Sequence, residues 1–206
     1  GLDISGIDLN STKASTNSSI TTPLKIGAEF QANTITDDMQ YDVELAALSN
    51  GNFVATWTSV VLPAGLGTVF AQIYDSSGNK VGSKITIPTD TSASNSYPAI
   101  SALSDGFVVT WDYYGKDQSG IWTSYGQRFE PNGVKLGSEF RVPSTTSQDR
   151  KHSSVTGLSN NEFVVTWQSA SQDGGGLGVY GQRFDSTGNK VGSEFLINTH
   201  TANDQK

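Results

Sequence analysis

Cysteine is absent from the 206 residues. That removes disulfides, thiol nucleophiles and thiolate-held zinc in one step. Histidine is almost absent: His152 and His200 stand alone, with no His/Asp/Glu cluster at metal-ligand spacing around either. Basic residues are few, 13 Lys and Arg against 20 Asp and Glu, for a net charge of −7. They are scattered, so the chain lacks the basic stripe that a phosphate backbone requires and the polybasic patch that anionic lipid requires. Neither nucleic acid nor a membrane surface is an expected partner. No apolar run approaches the roughly 18 residues of a membrane-spanning helix. There is no G-x-S-x-G nucleophile elbow and no glycine-rich phosphate loop leading into a helix. No segment sustains an apolar period of 3.6 residues, so almost no helix is expected. The chain opens at Gly1 without a signal peptide and reads as a processed or excised chain.

What the chain has instead is repetition. "SYGQRFEPNGVKLGSEF" (Ser124 to Phe140) returns as "VYGQRFDSTGNKVGSEF" (Val179 to Phe195) and, more worn, as "VFAQIYDSSGNKVGSKI" (Val69 to Ile85). The landmarks recur every 55 residues: Leu48, Leu103 and Leu158; Gln72, Gln127 and Gln182; Gly82, Gly137 and Gly192; Phe30, Ile85, Phe140 and Phe195. Trp57, Trp111 and Trp167 deviate by one residue, because the "LSDGF" turn is one residue shorter than "LSNGNF" and "LSNNEF". The repeats fall at 41–95, 96–150 and 151–205. Each reads as four short alternating strands separated by turn chemistry, as in "YPAISAL", "FVVTW", "SYGQRFE" and "SEFRV". Four antiparallel strands in about 55 residues make the unit of a β-propeller blade. The expected fold is therefore all-β, with three tandem blade-like repeats in an open-ended array. One such sheet cannot bury both faces, so neighbouring units must stack. Phe53, Trp57, Phe70, Tyr74 and their equivalents supply the surface for it.

Ahead of the first repeat, "KIGAEFQANT" matches the fourth strand of the later units, so residues 24–40 read as an outer strand without its own unit. Residues 1–23 read as a tail: Leu2, Ile4, Ile7 and Leu9 alternate as in a strand, then a Ser/Thr/Asn-rich linker follows. Such a strand on a tether can complete the sheet of a neighbouring copy. Asn10 and Asn17 head N-x-S/T sequons and are candidate glycosylation sites.

The acids that recur, Glu29, Glu139 and Glu194 with Asp75, Glu130 and Asp185, sit at equivalent places in successive units. Such repetition marks structure, because an active site needs different residues converging once. They are expected at solvated edges and turn caps, and the chain is expected not to be an enzyme. Gln72, Gln127 and Gln182 lie on the face of their flanking aromatics and are expected to lock a neighbouring backbone. Arg128 and Arg183 point the other way, towards expected partners Glu139 and Glu194. Between second and third strands the loops vary. There Asp112, Asp117, Trp122 and Asp173 are candidate ligand residues, for a sugar stacked on the tryptophan or for calcium held by oxygen. No metal site or other cofactor is expected.

The pattern L-S-D-G-F-V-V-T-W … G-x-Y-G-Q-R-F-D-x-x-G-N-x-V-G-S-E-F-x-x-N-T resembles the tandem repeats of very large secreted bacterial surface proteins of the haemolysin-type, calcium-binding, adhesin-like kind. The likeness covers residues 24–205 and is strongest in the third repeat. It implies an extracellular surface, matrix or adhesion module to which no catalytic residues belong. The G-G-x-G-x-D calcium nonapeptide of such proteins is absent. The sequence thus leads to two expectations. The first is an extracellular structural or adhesive protein whose copies join end to end into a fibre, sheath or matrix. The second is a lectin-like module binding surface glycans around Trp122 and Trp167.

Overall fold

The computed structural model describes residues 29–33, 39–61, 64–118, 120–145, 147–200 and 203–204. The tail residues Leu2, Ile4, Ile7, Leu9, Asn10 and Asn17 lie outside the described residues. Of the expected outer strand 24–40, residues 29–33 are described and carry no strand, while Met39 and Gln40 open the first strand instead. The chain divides into Gly1–Phe30 and Gln31–Lys206, and every strand described here belongs to the second unit.

Those strands are β1 (Met39–Ala47), β2 (Phe53–Val61), β3 (Leu66–Tyr74), β4 (Lys80–Thr86), β5 (Asn95–Leu103), β6 (Gly106–Tyr114), β7 (Trp122–Phe129), β8 (Lys135–Arg141), β9 (Arg150–Gly157), β10 (Phe163–Ala170), β11 (Leu177–Phe184) and β12 (Lys190–Leu196). The only helical element described is a 3-10 turn, Ser159–Asn161, and no described helix is long and apolar enough to cross a membrane. The fold is all-β, in two sheets of four and eight strands, and neither closes into a barrel. β1 to β4 form an antiparallel meander, as do β5 to β8 and β9 to β12. A single parallel pairing, Thr123 with Arg150, joins the last two into the larger sheet.

Cross-strand aromatics set the packing. Phe53 stacks on Tyr74, Phe107 on Phe129 and Phe163 on Phe184, with ring centroids 5.0–5.1 Å apart and nearly parallel planes. Each pair is directly in register on the second and third strands of its meander. Trp57, Trp111 and Trp167 follow four residues later and are all buried. β6 is buried on both faces from Gly106 to Tyr113, so Val108 and Thr110 are sealed as fully as Phe107, Val109 and Trp111.

The recurring glutamine and glycine explain each other. Every third-to-fourth strand ladder slips by two residues at Gln72, Gln127 or Gln182, where one residue of the third strand faces three of the fourth. Opposite stands Gly82, Gly137 or Gly192, each with φ near +70°, a left-handed conformation that glycine adopts without cost. The slip is a β-bulge, which leaves ladder carbonyls unpaired. Gln127 Nε2 meets them, donating to Leu136 O at 2.9 Å and reaching Gly137 O at 3.4 Å. Gln72 reaches Val81 and Gly82 in the same way, and Gln182 reaches Val191 and Gly192.

The bulge also displaces the arginines from their expected partners. Leu136, not Glu139, faces Arg128 in the ladder, and Arg128 pairs with Asp105 at 2.8 Å. Arg183 likewise pairs with Glu162 at 2.8 Å. Glu139 and Glu194 turn instead to the preceding meander, accepting from the backbone N–H of Thr89 and of Ser144.

Beside each glutamine a second exchange is visible. Gly126 and Gly181 lie opposite Phe140 and Phe195, and a β-carbon on either would overlap the facing ring. The first meander holds Ala71 opposite Ile85 instead, a larger residue against a narrower one. We expect Gly126→Ala to cost about 1–3 kcal/mol by overpacking, and Phe140→Ile in the same chain to recover part of that cost. Urea unfolding of both single variants and the double variant measures the coupling, and strictly additive costs would refute it. Gln127→Leu, which strands the bulge carbonyls, is expected to cost about 1–3 kcal/mol in the same assay.

Candidate functional site

The first strands of the three meanders lie side by side, β1 near β5 and β5 near β9. They approach closely: a β-carbon on Gly157 would come within 2.5 Å of the backbone oxygen of Ala102, so only glycine fits at 157 without a shift. Each first strand carries a bulge, seen as a register shift between Tyr41 and Glu44, between Ser96 and Ala99, and opposite Thr166–Gln168. The residues at the bulges are Asp42, Tyr97 and His152, with φ of 55°, 56° and 54°. A left-handed conformation is unfavourable for a side chain as large as tyrosine. These three are spaced by 55 residues, yet they are an acid, a phenol and an imidazole. Here the backbone repeats and the chemistry does not.

The bulges bring side chains together. Tyr97 lies edge-on to His152 with centroids 4.6 Å apart and edge-on to Trp122 at 6.1 Å. Tyr114 tilts against Trp122 at 5.1 Å. The result is a continuous strip of four rings, His152, Tyr97, Trp122 and Tyr114. Tyr97 is 37% and Tyr114 41% exposed, and Trp122 is half-buried. A cleft beside the strip is lined by Asp42, Glu44, Tyr97, His152 and Ser154 among others. Trp122 is held at its backbone, its N–H donating to Asp149 at 3.1 Å, and Asp149 is itself paired with Lys151 at 3.1 Å.

The electrostatics follow from partial burial. Desolvation raises the pKa of Asp42, opposed by the positive charge that His152 can carry. Desolvation lowers that of His152, Lys151 lowers it further, and Asp42 opposes both. Beneath the strip, Asp112 is fully buried and desolvation pushes its pKa up to about 7, against hydrogen bonds from Ser124 and from the His152 backbone. Its Oδ1 lies 2.7 Å from Ser124 Oγ, which is also 3.1 Å from Arg150 O, while its Oδ2 accepts from His152 N at 2.6 Å. Serine has one hydrogen to donate. A protonated Asp112 donating to Ser124, which donates onward to Arg150 O, satisfies every atom in the set.

The expected ligand loop is therefore divided. Asp112 belongs to strand β6 and is sealed from solvent, so it cannot meet a ligand. Asp117 accepts from the Tyr125 hydroxyl at 2.6 Å and lies 3.8 Å from Arg141. Asp173 accepts from Gly175 N and from Asn198 in the third meander. Only Trp122 enters the ring strip. Trp167 is 1% exposed and offers no binding surface. Asp75 and Asp185 cap their own turns, accepting from Asn79 N and Asn189 N. Among the described residues no group of three or more His, Asp or Glu could hold a metal ion. Asp42, Tyr97 and His152 were missed at the sequence level. Aligning the repeats shows the signal, one register column filled by three unlike polar residues.

No family model matches the chain, and no curated protein does. Among solved structures it is similar to an endo-arabinase from Bacteroides thetaiotaomicron VPI-5482, at 18% identity and a TM-score of 0.46, over 82% of this chain. The chain spans 60% of that protein. A likeness of that degree assigns no activity.

Asp112 makes stability depend on pH. Its folded pKa lies above the ordinary aspartate value, so between about pH 4 and pH 7 the folded state holds a proton that the unfolded state has lost. This contribution is complete below pH 4 and disappears as pH rises through 7. His152, with a lowered pKa, acts in the opposite sense. The difference between wild type and Asp112→Asn isolates the aspartate. We expect the stability of wild type relative to that variant to fall by up to about 1.4 kcal/mol per pH unit across the window. Denaturant titrations at successive pH values measure it, and parallel profiles would rule it out.

Proposed function

We propose that the chain is a non-catalytic, extracellular carbohydrate-binding module. On this reading its three meanders are blade-like repeats, and the strip His152–Tyr97–Trp122–Tyr114 is its glycan platform. The observation that carries the reading is the strip itself: four rings in contact, three of them exposed, two of these at bulges that hold unlike residues in a left-handed backbone. Sugar rings present apolar C–H faces that stack on aromatics, while a few carboxylates fix their hydroxyls. Asp42 and Glu44 line the adjoining cleft and supply such acceptors. Their negative charge favours neutral glycans over acidic ones.

The blade-like arrangement is supported by the adjacency of β1, β5 and β9, the first strands of successive meanders. The non-catalytic reading is supported by the acids themselves. Asp112 is sealed, Asp117 and Asp173 are engaged in different meanders, and the recurring acids cap turns or clamp neighbouring backbone. Neither calcium nor another cofactor is needed for stacking.

A glycan array probed with wild type, Trp122→Ala and Tyr97→Asn tests the reading. Asparagine is chosen because it tolerates the left-handed backbone. We expect wild type to bind neutral glycans, and each variant to weaken binding about tenfold or more, near 1.4 kcal/mol, while still unfolding cooperatively in denaturant. Absence of binding by wild type, or variants that bind equally well, would defeat it.

A further inference from the structure

We propose that Asp112 is a positioning residue for the ring strip: with Ser124 it forms a brace whose protonation sets how His152 and Trp122 stand. The inference rests on the glycan-platform reading and concerns the control of that site. Comparison of the three meanders carries it. Directly after each tryptophan stands a residue paired across to the third strand: Thr58 with Val69, Asp112 with Ser124 and Gln168 with Val179. Only the middle pair joins an acid to a hydroxyl, and both residues are 0% exposed. Thr58 is equally buried, yet its hydroxyl has no hydrogen-bond partner among the described residues. Gln168 is half-buried beside a cleft that Lys151 and His152 line. Packing alone therefore does not require an acid at this position.

The brace acts on the start of β9. His152 N donates to Asp112 Oδ2 at 2.6 Å, and Ser124 Oγ lies 3.1 Å from Arg150 O. Asp149, one residue earlier, accepts from Trp122 N at 3.1 Å. Residues 149–152 thus connect His152 to Trp122, and Tyr97 lies edge-on to both rings. The same stretch carries the ladder pair, Thr123 with Arg150, that joins the second and third meanders. His152 keeps its left-handed backbone, φ 54°, only while its surroundings hold it there. Moving this stretch against β6 moves both rings.

The brace has two forms. With Asp112 protonated, its hydroxyl donates to Ser124, whose own hydrogen reaches Arg150 O, and all three contacts are made. With Asp112 ionised, the single serine hydrogen turns to the carboxylate, and Arg150 O loses it. The charge is then buried beside no committed cation. On β9, Lys151 favours ionisation but is paired with Asp149. Arg150 directs its guanidinium to Asp149 O, Ala170 O and Thr145 Oγ1, and His152 turns its ring to Tyr97. On β5 and β7 the residues opposite Asp112 are Ser96 and Ser124, neither of them charged. On β6 the adjacent Tyr113 stays neutral, its pKa pushed up to about 12 by burial. A buried, uncompensated carboxylate favours displacement of β9 and entry of water. Burial places the switch between the two forms at about pH 7.

Two titrations over about pH 6 to 8 test it: NMR of the His152 amide, and affinity for the neutral glycans of the array at each pH. We expect the amide to shift through a midpoint of about pH 7 in wild type. It is expected to stay fixed in Asp112→Asn, whose side chain supplies the acid's donor and acceptor without titrating. Glycan affinity is expected to fall about fivefold or more as pH rises through that midpoint, and to keep its low-pH level in Asp112→Asn. Ser124→Ala removes a donor to the ionised carboxylate, so both midpoints are expected to move to higher pH. A residue that only fills space would move neither. An amide that titrates identically in Asp112→Asn, or a wild-type glycan affinity unchanged across the range, would overturn the proposal. Wild type binding no glycan at any pH would defeat the platform reading alone. In that case a midpoint present in wild type and absent in Asp112→Asn upholds the brace, and its absence from wild type overturns it.

Discussion

A sheet of four short strands has two faces and no second layer, and everything else in this chain answers to that constraint. β6 illustrates it, buried on both sides over eight residues. No single meander supplies enough apolar surface for that. Phe140 leaves its own meander to cover the Phe163–Phe184 pair of the next, and Ile85 does the same for the turn at Gly133. Burying an aromatic side chain contributes on the order of 1.5–3 kcal/mol, so this borrowed contact, repeated, substitutes for the disulfides that a cysteine-free chain cannot form. Repetition is thus a consequence of packing: the surface that one unit offers is the surface the next requires.

The contact works only if the fourth strand delivers its apolar residue to the correct face. The bulge at Gln127 and Gly137 sets two extra residues into the fourth strand, and the glutamine amide replaces the ladder bonds lost there. With that offset, Phe140 lies opposite Gly126, where the absent β-carbon makes room for its ring. The conserved spelling of the repeat, G-Q with G-S-E-F, is therefore one mechanical device. The glycine, glutamine and aromatic are parts that serve each other, and the glutamate clamps the preceding meander.

Much of this was legible beforehand. The 55-residue period, the four strands per unit and the near absence of helix follow from alternation and turn residues, because those properties are local. The buried glutamines were legible too, since an amide between two aromatics must find partners. The Arg128–Glu139 pairing was misread because a bulge is invisible to strand alternation, and its two extra residues move every later partner. Asp112 was assigned to a loop because β6 continues past Trp111 to Tyr114, with a carboxyl kept buried by protonation and by a hydroxyl and a backbone N–H. Tertiary context alone makes that position tolerable for an acid.

The converging site escaped for a deeper reason. Recurrent acids were set aside on the ground that repetition marks structure, and that reasoning holds for Asp185 in its turn and Glu139 in its clamp. Its complement locates function. A repeated scaffold places the same strained backbone three times at one seam, and packing does not dictate what these exposed side chains are. Asp42, Tyr97 and His152 can therefore differ, and three unlike groups in one geometry are what selective recognition of an asymmetric ligand requires. In a protein built by copying, chemistry is to be sought where the backbone repeats and the side chains do not.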